Sequence, residues 1–123
     1  MNLTLAQPGI LAAPAALGLA LSFRLTPADP RPALTRLRDG FRSEWGVVGI
    51  GDPLVAALGN AVPGLRSFPA LSGTAVQIPA TQQALWIMLL ADQRSALFDR
   101  CEAVKSLLEP ELLLDDAIDT FIY

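Results

Sequence analysis

The chain has 123 residues, of which 52% are hydrophobic and 17% charged, with a net charge of −3 and a pI near 4.7. This length fits one domain that can fold without disulfide or metal cross-links. The acidic balance excludes a nucleic-acid-binding domain, which needs basic side chains for the phosphates. The one cysteine, Cys101, excludes an intrachain disulfide, and the low charge content indicates that some apolar surface faces a partner.

The beginning of the chain is rich in proline, alanine and glycine. We expect residues 1–16 to form an N-terminal arm of a single domain that spans residues 1–123. The apolar run after Pro8 has no basic residue before it, unlike a secretory signal. It is interrupted by Pro14 and is too short to cross a membrane. The sequence therefore predicts a cytoplasmic protein without a membrane partner.

The first elements follow from periodicity and turn residues. Large and small side chains alternate over residues 17–25, which predicts a strand with one bulky face and one small-residue face. A helix should follow, with Asp29 as its N-cap and Pro30 at its first position, and end near Arg42. Residues 44–50 are predicted to form the second strand.

The middle of the chain is punctuated by glycine and proline. Residues 49–80 are predicted to form a long ordered loop that includes a short helix over 53–58 and a short strand over 75–78. Residues 84–91 are apolar on both faces, which is typical of a central strand covered on both sides. Asp92 should then cap a second helix, whose apolar positions recur at helical spacing.

Residues 111–123 are predicted to form a last strand, which completes the order strand, helix, strand, loop, strand, helix, strand. That order is typical of an α+β, ferredoxin-like (split βαβ) domain with a four-stranded antiparallel sheet and two helices on one face. No predicted helix remains to cover the other face. We expect a second sheet to cover it, as in a dimeric α+β barrel, either in a homodimer or with a separate C-terminal half.

The residues needed for most catalytic sites are missing from the sequence. It contains no histidine, so it lacks the usual general base, the usual triads and the usual zinc ligands. Cys101 falls on the apolar face of a helix and is expected to be an inert core residue. The Gly49-x-Gly51 pair lacks the third glycine of a dinucleotide motif, and the aspartates of 115–119 lack the spacing of a calcium loop. We predict no catalytic and no metal-binding residue.

Three residues remain as candidates for a ligand site or an interface. Trp86 and Met88 share one face of the central strand, where they would line a cofactor pocket or simply supply packing area. Arg24 projects from the small-residue face of the first strand. It would contact an anionic ligand or a partner's carboxylate, or it would be an ordinary surface arginine.

Several short segments, in their order and spacing, resemble the N-terminal half of dye-decolorising (Dyp-type) haem peroxidases. They cover nearly the whole chain and are PGIL (8–11), LSFRL (21–25), VVGIG (47–51), VPGLR (62–66), FPAL (68–71), IPATQ (78–82), ALW (84–86) and FIY (121–123). In that family the full chain holds two ferredoxin-like domains and binds haem. The resemblance implies that this chain matches the first domain, and that the Gly-x-x-Asp-Gly motif, the proximal histidine and the distal arginine belong to the second.

Three functions are compatible with this resemblance. We expect a non-catalytic dimeric module with no cofactor of its own. The first alternative is a component of a haem-dependent peroxidase that a separate C-terminal half completes. The second alternative is a dimeric α+β barrel that binds a small apolar ligand between its sheets. If the chain held haem alone, the axial ligand would be Cys101, Met88, Tyr123 or water, all poorer ligands than histidine.

Overall fold

The computed structural model describes residues 5–123. In chain order the elements are α1 (Pro8–Leu11), β1 (Leu17–Leu25), α2 (Arg31–Gly40), a 3-10 turn (Ser43–Trp45), β2 (Gly46–Ile50), α3 (Asp52–Ala57), β3 (Leu71–Ser72), β4 (Gln77–Ile78), β5 (Leu85–Ala91), α4 (Arg94–Leu108) and β6 (Leu112–Phe121).

The main sheet has four strands in the order β2-β5-β1-β6, and every neighbouring pair is antiparallel. With β3 and β4 set apart as a separate two-stranded sheet, this is the strand order of a ferredoxin-like domain. The predicted α+β fold is therefore confirmed. The two long helices, α2 and α4, pack against each other, and α4 packs on β1, β5 and β6.

The core lies between one face of the sheet and the helices. Alternate residues of the central strands, such as Leu21, Phe23, Ile87 and Leu89, are completely buried there. The helices contribute Ala33, Leu37, Leu97, Val104 and Leu108 to the same cluster. Each fully buried large side chain stabilises the fold by about 1.5–3 kcal/mol relative to leaving it exposed. The core side chains of β1, which recur at every second residue, and those of α4, which recur at helical spacing, therefore pack together on one side of the sheet.

Two predicted helix caps differ from what the structure shows. The Asp92 carboxylate does not cap α4, because it accepts the backbone N–H of Ala16 at 3.1 Å, and the helix begins after Gln93. Pro30 occupies the N-cap position of α2, while Asp29 accepts the Arg31 N–H at 3.1 Å. Both carboxylates bind backbone N–H groups, but only the one at Asp29 does so at a helix start.

The predicted arm over residues 1–16 lies only partly within the described residues, because 1–4 fall outside them. From residue 5 onward it includes α1, which packs against β2 and the 3-10 turn. The Gln7 amide binds the outer edge of β2: its Nε2 donates to the Val48 carbonyl at 2.7 Å, and its Oε1 accepts the Val48 N–H at 2.9 Å. The arm thus satisfies backbone groups at one edge of the sheet. Within residues 5–123, no helix is both long and apolar enough to span a membrane.

Candidate functional site

The face of the sheet opposite the helices is the candidate functional site, and we call it the open face. Its side chains alternate along each strand with the core side chains described above. The register pairs Trp86 with Ser22, Met88 with Ala20 and Leu90 with Gly18 across β5 and β1. Trp86 is 42% exposed and Ile118 on β6 is 57% exposed, so large apolar side chains of this face contact solvent in the single chain.

The open face has a corrugated shape because large and small residues follow different strands. Three large side chains lie in a row on β5, and small ones lie opposite them on β1. Leu113 and Ile118 project from β6 on the far side of β1. We call the β5 row (Trp86, Met88, Leu90) the ridge and the β1 row (Gly18, Ala20, Ser22) the trough. A flat apolar surface would accept many partners, whereas this relief selects a partner of complementary shape.

Glycines beside the ridge let its side chains approach the backbone of the neighbouring strands. Trp86 lies opposite Gly49 of β2, and its ring carbon Cε3 is 3.4 Å from the position that a β-carbon on Gly49 would occupy. Gly18 is buried, and a β-carbon there would collide with the Thr120 hydroxyl and press on the Met88 methyl group. Because Gly49 and Gly18 have no side chains, Trp86 and Met88 can lie close to the backbone of the sheet.

One end of the open face carries polar side chains. Arg24 Nε lies 3.8 Å from the Asp115 carboxylate, whose other oxygen accepts a hydrogen bond from Gln83 Nε2 at 2.6 Å. The Arg24 side chain is 54% exposed, so this ion pair contributes less than about 1 kcal/mol to stability. Arg24 thus shares a face with Trp86 and Met88, and its nearest carboxylate belongs to the same chain.

Asp115 was not predicted to take part in this arrangement. The pairing of β1 and β6 shifts register between Ser22 and Phe23, opposite Asp115 and Asp116. Such a bulge re-aims side chains, and the sequence carries no local signal for it. Strict alternation after Leu114, which faces the core, would have placed Asp116 on the core side, whereas the bulge pairs it with Ser22 of the open face.

The open face does not fit haem by itself. Met88 is its one side chain of a type that ligates haem iron, and a thioether is a weaker substitute for histidine. Cys101 lies half-buried on α4, on the other side of the sheet, and Tyr123 lies fully exposed beyond the end of β6. Burial raises the pKa of the Cys101 thiol, which disfavours the thiolate that a metal would bind. No group of three or more metal-ligating side chains occurs within residues 5–123.

No protein-family model and no curated protein matches the sequence. Several solved structures do match the fold. A putative Dyp-type peroxidase from Shewanella oneidensis superimposes with a TM-score of 0.72 and 19% identity, over 94% of this chain and 42% of its own. DyPB from Rhodococcus jostii RHA1 gives a TM-score of 0.71 and 22% identity, over 96% of this chain and 43% of its own. The chain has the fold found in Dyp-type peroxidases.

The match to Dyp-type peroxidases covers this chain almost completely but less than half of each peroxidase. That proportion agrees with the expected correspondence to one half of a two-domain protein. A variant of DypB from the same Rhodococcus strain was solved in complex with heme, and it matches with a TM-score of 0.69 and 23% identity, over 93% of this chain and 42% of its own. Heme in this related structure is consistent with the haem expected for the full-length family, and the roles of Arg24, Trp86 and Met88 stay predictions.

Proposed function

We propose that this domain is a non-catalytic docking module of the Dyp-type fold, which forms a homodimer by packing its open face against that of a second copy. The observation that carries the proposal is the row of large apolar side chains on β5, in which Trp86 is exposed and Met88 and Leu90 are partly buried. Trp86 stays 42% exposed in the single chain, although it belongs to a central strand. Burial of apolar surface stabilises by about 25 cal/mol per Å², so covering this face favours association.

The relief of the open face favours a second copy as the partner. In face-to-face packing of two sheets, inner side chains interdigitate across a gap of about 10 Å between the sheets. The ridge on β5 lies directly beside the trough on β1. A two-fold axis between two copies would therefore bring the ridge of each over the trough of the other, and the same surface would serve both partners.

A second candidate function is supported by the extent of the structural match. The chain spans 42–43% of the Dyp-type structures, one of which contains heme. In this alternative, a separate second domain covers the open face and supplies the haem ligand, since the 123 residues contain no histidine. This chain would then contribute only the wall of the pocket, and no step of a peroxidase reaction would involve its side chains. A small apolar ligand held between two copies is a third candidate.

The oligomeric state of the purified chain tests the first proposal. We expect a dimer by sedimentation velocity at micromolar concentration, and a monomer after Trp86→Glu, because a carboxylate would be buried without a partner. Phe98→Glu is the matched control: Phe98 is 65% exposed on α4, on the opposite side of the molecule, and its replacement should leave the dimer intact.

A folded wild-type monomer at these concentrations contradicts the homodimer. Added haem tests the absence of a cofactor in the first proposal: a Soret shift with a defined ligand in this chain alone would contradict it. An unchanged spectrum is expected for both main candidates, because in the second one a separate domain supplies the haem ligand. Electron density for a small molecule between two sheets in a crystal would favour the third candidate.

A further inference from the structure

A cleft of about 580 Å³ lies between the N-terminal arm and the rest of the domain, and we call it the arm cleft. The arm over residues 8–15 forms its outer wall. The end of β5, the 3-10 turn and the first turns of α4 form the remainder. Binding sites for small molecules have volumes of about 300–1,000 Å³. Most of this lining lies outside the open face, so a site here does not depend on the proposed homodimer.

The arm is attached to the domain on both sides of the cleft. On one side the Gln7 amide binds β2, and on the other the Ala16 N–H donates to the Asp92 carboxylate at 3.1 Å. A β-carbon on Gly9 would lie only 2.5 Å from the Gly46 carbonyl oxygen, so the arm approaches the backbone of β2 closely. The cleft is therefore preformed, and a preformed site loses less conformational entropy when a ligand binds.

Arg100 is the cation of the arm cleft. It lies half-buried on α4 and forms no ion pair within residues 5–123. Its Nη1 donates to the carbonyl of Leu90, the residue that follows the last one of β5 to pair with β2. That bond orients the guanidinium and leaves its other N–H groups available to a ligand. A guanidinium held in this way can bind a carboxylate through a bidentate pair of hydrogen bonds.

Two carboxylates line the same cleft. One oxygen of Asp92 accepts the Ala16 N–H, and the other accepts no hydrogen bond from the described residues 5–123. Glu44 lies in the 3-10 turn and pairs at the surface with Arg42, at 3.8 Å. Neither carboxylate forms an ion pair with Arg100. The cleft therefore presents positive and negative groups that do not neutralise one another.

Small apolar residues form the rest of the cleft wall, namely Pro8, Gly9, Ala12, Ala13, Ala15 and Ala96. Their side chains offer no hydrogen bonds, so they suit an apolar part of a ligand. Glu44 and Asp92 would repel a ligand that is only an anion, and Arg100 would repel one that is only a cation. A molecule that carries both charges beside an apolar group matches all three parts of the lining.

We propose that the arm cleft binds a zwitterionic α-amino acid with an apolar side chain. Its carboxylate binds the Arg100 guanidinium, its ammonium group faces the carboxylates of Asp92 and Glu44, and its side chain lies against the alanines of the arm. Because the arm forms one wall, the bound amino acid also fastens the arm to the domain.

Leucine is the probe that tests this proposal. Heteronuclear NMR of the full chain should show saturable shifts of the amides in residues 8–16 and 90–100, with a dissociation constant of about 1 mM or lower. Leucinamide lacks the carboxylate and isocaproate lacks the ammonium group, so each should bind at least about tenfold more weakly. The absence of a saturable shift with leucine, or equal binding of all three compounds, overturns the proposal.

Three variants locate the ligand. Arg100→Gln should weaken leucine binding at least about tenfold, because it removes the cation. Arg94→Gln is the matched control and should bind leucine as the wild type does, since Arg94 is exposed on the same helix and does not line the cleft. An equal loss in both variants would show a general effect of charge and would overturn the role of Arg100.

Ala13→Trp fills the cleft from the exposed arm and leaves its charges and the core unchanged, so it should abolish leucine binding while urea unfolding stays as in the wild type. This variant also decides the question where Arg100→Gln fails to fold. An Ala13→Trp chain that binds leucine as tightly as the wild type would show that the ligand lies elsewhere, and the arm cleft would then be the wrong site.

Discussion

Ala20 lies in the middle of the trough, opposite Met88 on β5 and Ile118 on β6. Replacing it with leucine should fill the trough without disturbing the core, because Ala20 points away from the helices. Overfilling a packed contact costs about 1–3 kcal/mol. If the partner's ridge occupies the trough, the Ala20→Leu dimer should therefore dissociate about 5- to 150-fold more readily, at 1.4 kcal/mol per tenfold change.

Sedimentation equilibrium over a concentration series measures this change in dissociation constant, and urea unfolding of the dilute monomer checks that the fold is retained. Ala20→Ser is the control, since it keeps the side chain small and should leave association within a few-fold of wild type. An Ala20→Leu dimer as tight as the wild-type dimer would show that no partner side chain enters the trough, and the packing of ridge into trough would then be wrong.

Three further predictions concern the monomer. Arg36 lowers the pKa of Glu111 below its usual 4.5 by a hydrogen bond, so the pair stabilises the fold above that pH and loses its effect as the pH falls through the lowered value. Glu111→Gln should therefore lower the free energy of unfolding at pH 7 but not near pH 2, as urea titrations at both pH values will reveal; an equal loss at both would refute the ion-pair explanation. Cys101, with its raised pKa, should react with iodoacetamide at pH 8 more slowly in the folded chain than in urea, and equal rates would contradict its burial. Ile87→Ala, at a completely buried position, should lower the free energy of unfolding by about 2–5 kcal/mol; a loss below 1 kcal/mol would argue against the assigned core face.

The sequence predicted those parts of the fold that depend on local pattern. The alternation in residues 17–25 matches β1 (Leu17–Leu25), and the doubly apolar run matches β5 (Leu85–Ala91). The open face followed from them, because two helices can cover only one side of a four-stranded sheet. The side that carries Trp86, Met88 and Arg24 thus follows from the sequence.

Contacts between residues that are distant in the sequence could not be predicted from local sequence patterns. Asp92 was predicted to cap α4, but its carboxylate accepts the N–H of Ala16, which is 76 positions away in the sequence. The predicted strand over 75–78 shortened to Gln77–Ile78, and its partner Leu71–Ser72 had no recognisable period of its own. The bulge opposite Asp115 likewise arises from pairing between strands. Each of these depends on which segments meet in the fold.

The amide of Gln7 has a consequence for how far assembly can proceed. The Gln7 amide occupies the N–H and C=O of Val48, so another strand cannot readily pair with the edge strand β2. The other edge strand, β6, carries several aspartates. Stacking of sheets side by side into an open-ended fibre requires two receptive margins on every molecule. A molecule with one blocked edge strand and one charged edge strand can still pair through its open face, so growth ends at a closed complex.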